Sequence, residues 1–98
     1  MREFTDTELK EIEEFASLLF SPEVIAQVMG VELNDFVESI ADISSPAAKA
    51  FSRGALMTEV ELRRSILRLA KQGSSPAQTL SIKMRDELHL SLVNLKIK

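Results

Sequence analysis

At 98 residues the chain has room for one small domain and no second core of comparable size. Its 45% hydrophobic and 28% charged residues exclude disorder throughout, and the lack of cysteine excludes a disulfide framework, thiolate zinc ligation and thiol catalysis. The net charge of −3 conceals two segments of opposite sign.

The N-terminus, MREFTDTELKEIEEF, has neither the apolar core nor the small-residue cleavage site of a secretory signal, and no apolar run reaches membrane-spanning length. A cytoplasmic protein without membrane contact is the expectation. Thr5 and Glu8 form a capping box, with Phe4 and Leu9 placed as a hydrophobic staple across it. Leu9, Ile12, Phe15, Ala16, Leu19 and Phe20 then recur at helical spacing, predicting an amphipathic helix that ends near Ser21.

Ser21 suits the next N-cap and Pro22 the first helical position, so a short helix is expected from Pro22 to Met29. Gly30 fits the left-handed residue that closes such a helix. Val31 drops toward the core, and a second helix is expected from about Glu32 to Ile43, with Leu33, Phe36, Val37 and Ile40 on its apolar side. Residues 22–43 thus have the spacing of a helix-turn-helix, whose second helix would enter the major groove.

Ser44 or Ser45 caps the next segment, and helical character runs from Pro46 to Gln72. Phe51, Ala55, Leu62, Ile66 and Leu69 form its apolar stripe, and Gly54 inside it marks either a close helix crossing or a break. Gly73 stops this helix, and Ser75 and Pro76 start another, giving a helical hairpin over residues 46–87. In LHLSLVNLKIK the apolar residues alternate, with a phase slip at Val93. Two conformations fit residues 88–98: a strand paired with the same segment of another subunit, or a last helix that continues to about residue 93 and frays. The strand form would make the segment an oligomerisation tail. The expected fold is all-α: one small helical domain over residues 1–98, with a helix-turn-helix, a longer helix and a C-terminal stretch compatible with a strand.

The run from Ser21 through Phe36, followed by AFSRGALMTEVELRRSILRLAKQGSSPAQTL from Ala50 to Leu80, resembles the small terminase subunits of tailed bacteriophages and prophages. Met29, Gly30 and Val31, Phe36, the Phe51, Arg53 and Gly54 group, Glu59 with Leu62 and Arg63, and Ala70 with Gly73 carry the likeness, and Ala77 and Leu80 continue it. The resemblance covers about two thirds of the chain, and its motifs are degenerate. It implies recognition of packaging DNA by the helix-turn-helix, oligomerisation through adjoining helices, and a separate large subunit for ATP hydrolysis and cleavage. The chain departs from the pattern at Glu32, where a serine or threonine cap is common.

Charge is the second departure. Met1–Phe20 has two basic and six acidic residues (−4), Ser21–Pro46 none and five (−5), and Ala47–Lys98 ten and four (+6). The expected DNA-reading unit therefore holds Glu23, Glu32, Asp35, Glu38 and Asp42 with no arginine or lysine, a composition that repels phosphate. Asn34 is the candidate for reading a base, through a bidentate contact to adenine. Positioning contacts have to come from elsewhere, and Arg53, Arg63, Arg64, Arg68 and Lys71 are the phosphate-binding candidates. Arg64, Arg68 and Lys71, at spacings of four and three, lie along one side of the long helix, and Arg53 and Arg63 on a neighbouring side. The same cations also suit a solvated flank balanced by Glu59 and Glu61, or a surface that docks an acidic partner.

Enzymatic chemistry finds no footing in the sequence. His89 is the only histidine and has only Asp86 and Glu87 near it in sequence, and Glu8, Glu11, Glu13 and Glu14 lack the histidines of a carboxylate metal site. Ser21, Ser44, Ser45 and Ser75 read as caps, and no nucleophile elbow, phosphate loop or zinc spacing is present. The expectation is a binding protein without cofactor or metal. It would recognise double-stranded DNA, self-associate and present DNA to a large terminase subunit. The alternative is an assembly module on the same scaffold, in which the acidic half of one subunit faces the basic helix of another.

Overall fold

The computed structural model describes residues 2–97 and is all-helical among them. The helices are α1 (Asp6–Ser17), α2 (Pro22–Met29), α3 (Leu33–Ala41), α4 (Pro46–Lys71) and α5 (Ser75–Ile97). The chain divides into two units, Met1–Val60 and Glu61–Lys98, with the boundary inside α4.

In the first unit the capping box forms as expected: the Glu8 N–H donates to Thr5 Oγ1 at 3.1 Å and the Thr5 N–H donates to Glu8 Oε1 at 3.0 Å. Ile12 and Ala16 of α1, Ile25 and Ala26 of α2, Phe36 of α3 and Ala47 and Ala50 of α4 make the buried core. Phe4 closes it edge-on to Phe36, with ring centroids 6.1 Å apart. The first helix is shorter than its apolar stripe predicts: it stops at Ser17, Leu19 takes a left-handed backbone, and Leu18, Leu19 and Phe20 stay exposed. Thr58 of α4 donates its hydroxyl to the Ser17 carbonyl and so satisfies one of the orphan acceptors at that helix end.

Gly54 resolves as a close crossing. Ala47, Ala48, Ala50 and Gly54 are the buried residues of α4, and the α1 backbone at Glu13 and Ser17 lies against Gly54. Ser45, the true cap of α4, accepts from the Ala48 N–H at 3.0 Å and donates to the Ser39 carbonyl, so both buried serines are satisfied. Helix α3 ends at Ala41 rather than Ile43. The Asp42 carboxylate accepts from the Ser44 N–H and hydroxyl at 3.1 and 2.6 Å, which competes with helical continuation and leaves Ile43 exposed.

In the second unit Gly73, at φ 101°, turns the chain, and the Ser74 N–H returns to the Leu69 carbonyl at 3.0 Å. The cap of α5 is Ser74, one residue earlier than predicted, with its hydroxyl accepting from the Ala77 N–H at 3.4 Å. Gln78 Nε2 donates to the Ala70 carbonyl at 3.1 Å, and Arg63 Nη2 lies 3.9 Å from Glu87 Oε2. Residues later in α5 thus meet residues earlier in α4, and the two segments run antiparallel.

The strand conformation considered for residues 88–98 is not adopted: α5 continues through Ile97, and Lys98 lies outside the described residues. The alternating residues are mainly leucines, which favour helix, and no glycine or proline interrupts the segment after Pro76. Leu88, Leu92 and Leu95 are also spaced four and three apart, a helical period hidden beneath the alternation.

Candidate nucleic-acid interface

The candidate helix-turn-helix, α2 and α3 joined by a tight turn, is built by local chemistry. Ser21 Oγ accepts from the Val24 N–H at 3.4 Å, Pro22 occupies the first turn of α2, and Gly30 ends it at φ 70°. The Val31 N–H then closes onto the Ala26 carbonyl at 2.9 Å, which drives the half-buried Val31 toward the core. Glu32 takes the role usual for serine or threonine, its Oε2 accepting from the Asp35 N–H at 2.7 Å. Its charge is therefore used at the positive end of α3.

Asn34 is the second residue of α3 and is exposed, in the position from which a recognition helix reaches base edges. Its exposed neighbours on the outer face are Leu33, Val37 and Glu38; Leu33 and Val37 are each 44% exposed. This face offers one amide, two aliphatic side chains and one carboxylate. None of them neutralises phosphate.

The five candidate cations do not form one group. Arg53 belongs to the first unit, where Nη1 pairs with Glu13 Oε1 of α1 at 3.2 Å. That pairing makes it a clasp between α1 and α4. Arg63, in the second unit, turns toward Glu87 of α5. Arg64, Arg68 and Lys71 remain: they are exposed on one side of α4 and engage no carboxylate among the described residues. The second unit has eight basic and three acidic residues (+5), the first four and twelve (−8), which together give the net −3. The second unit therefore has the charge suited to phosphate.

Arg85 was missed in the sequence. It lines a cleft of the second unit together with Arg63, and pairing α4 against α5 about Gly73 would have placed it there. No group of His, Asp and Glu side chains able to hold a metal ion occurs among the described residues, and no helix there is long and apolar enough to cross a membrane. Comparison with protein-family models, curated proteins and solved structures finds no match to this chain.

Proposed function

We propose that the chain is a non-enzymatic DNA-binding protein of the terminase-small-subunit type, acting in the cytoplasm of a phage-infected or lysogenic cell. Arg64, Arg68 and Lys71 hold duplex phosphates, Asn34 supplies the base contact, and the apolar surface of α5 joins copies into an oligomer. ATP hydrolysis and cleavage belong to a separate large subunit to which the DNA is presented.

The observation that carries this reading is the row of three exposed cations on α4 with no carboxylate partner among the described residues. Such a row gains free energy by releasing condensed counterions from DNA, a gain that arginines already paired in the fold give only at the cost of those pairs. The test is titration of long duplex DNA at low and moderate salt, with Arg64→Ala/Arg68→Ala as the comparison.

A second reading, an assembly module with little DNA affinity, is favoured by the outer face of α3. Two half-exposed aliphatic residues beside a carboxylate suit a protein partner better than a phosphate backbone. Failure of the chain to bind duplex at low salt, with self-association retained, selects this reading.

A further inference from the structure

The second unit holds a cleft of about 420 Å³ lined by Arg63 and Leu67 of α4 and Ser81, Met84, Arg85 and Leu88 of α5. Its surface is mostly apolar, and two guanidinium groups border it. The first unit carries a surface of complementary chemistry. Leu33 and Val37 stand one turn apart on the exposed face of α3 with Glu38 beside them, and no arginine or lysine lies between Ser21 and Pro46.

An exposed helix with an aliphatic stripe and an acidic flank fits an aliphatic groove with a basic border, by the helix-in-groove mode. We infer that α3 of one copy docks into the α4–α5 cleft of a second copy. Leu33 and Val37 cover Leu67, Met84 and Leu88, while the acidic flank faces Arg63 and Arg85 and shares them with Glu87 and Asp86, whose exposed pairs at 3.9 and 3.8 Å are long. Net charges of −8 and +5 on the two units favour this pairing over the meeting of like surfaces. The joined surfaces differ, so the contact either pairs reciprocally about a two-fold axis or propagates into a ring or a filament.

This inference rests on the assembly reading of the α3 face and is independent of DNA binding. It bears on DNA all the same. Arg68 lies about 100° around α4 from Leu67 and about 140° from Arg63 and stays uncovered, whereas Arg64, about 60° from Leu67, borders the docked helix and Asn34 is covered in a docked copy. Phosphate contact at Arg68 therefore persists in a docked copy, and base contacts are confined to copies with an undocked α3.

The cysteine-free chain makes the test direct. Full-length Val37→Cys and Leu88→Cys chains, both altered at exposed positions, are mixed without DNA at low ionic strength and mildly oxidised. The expected product is the mixed disulfide, several-fold more abundant than the product of a control mixture of Lys10→Cys with Leu88→Cys, and falling several-fold as salt is raised. A mixed product no more abundant than the control, or exclusive formation of Leu88→Cys homodimers, overturns the inference. Because DNA is absent, loss of DNA affinity leaves this result unaffected.

Discussion

Gly54 of α4 and Glu13 of α1 approach so closely that a Cβ on Gly54 would lie 2.1 Å from the Glu13 carbonyl oxygen and 3.0 Å from the Ser17 nitrogen. The obstruction is backbone, which cannot swing aside as a flexible side chain would. Gly54→Ala gains roughly 1 kcal/mol in helix propensity but forces α1 away from the face that buries Ile12 and Ala16. Overpacking of this kind costs about 1–3 kcal/mol or more, and the expected net result is a lower urea midpoint. Gly30→Ala meets no atom within 4 Å and pays only for its left-handed backbone, on the order of 1–2 kcal/mol.

Acid should weaken the first unit through Glu8. The Thr5 N–H, followed by the Arg2 guanidinium at 2.8 Å, holds the Glu8 carboxyl below its ordinary value of 4.5. A carboxylate with a depressed folded pKa contributes stability above its unfolded value and loses it as pH falls through the folded one. Urea midpoints of wild type and Glu8→Gln are therefore expected to differ near neutrality and converge in acid. A constant offset across pH would contradict this. Thr5→Ala, which removes the other half of the box, should cost about 1 kcal/mol at every pH.

The parts legible in the sequence were those where one residue meets one local need. Thr5 with Glu8, Ser21 with Pro22, and Gly30 each fix a helix end by capping or by φ, and α2 has the bounds that these signals predict. Gly54 was ambiguous, because a crossing and a break differ only in what lies opposite, and Glu13 is forty-one positions away. The ends of α1 and α3 were misjudged for a related reason. An apolar run over Leu18–Phe20 does not reveal whether a partner is present to bury it, and the Asp42 turn competes with the helix through side-chain hydrogen bonds. At the candidate site, spacing alone puts Arg64, Arg68 and Lys71 on one side of α4, but the engagement of Arg53 with Glu13 and of Arg63 with Glu87 depends on tertiary contacts.

On α5 the leucines at 88, 90, 92 and 95 are all exposed, so their removal leaves folding of a single copy nearly unaffected while weakening association. Leu92→Lys/Leu95→Lys is expected to shift sedimentation toward the monomer, with a change in urea midpoint equivalent to at most about 0.5 kcal/mol per substitution. Unaltered sedimentation would remove the Leu92 and Leu95 surface of α5 from the assembly.

Asn34 should affect sequence preference and not general grip. Asn34→Ala, at an exposed position, is expected to lower discrimination among duplexes by about 1–3 kcal/mol at the base pair it reads, leaving the salt dependence of binding unchanged. Competition among a pool of randomised duplexes measures this directly. An unchanged sequence preference would assign the outer face of α3 to protein contact alone.

The salt dependence of binding to a long duplex reports whether the Arg64, Arg68 and Lys71 row holds DNA. Three phosphate contacts per copy give a slope of log K against log salt near −2.7, or roughly 40-fold weaker binding for a fourfold rise in salt. Arg64→Ala/Arg68→Ala should weaken binding and reduce the steepness of that slope by about 1.8. No binding at low salt, or a double variant with the wild-type affinity and slope, would show that the row does not hold DNA.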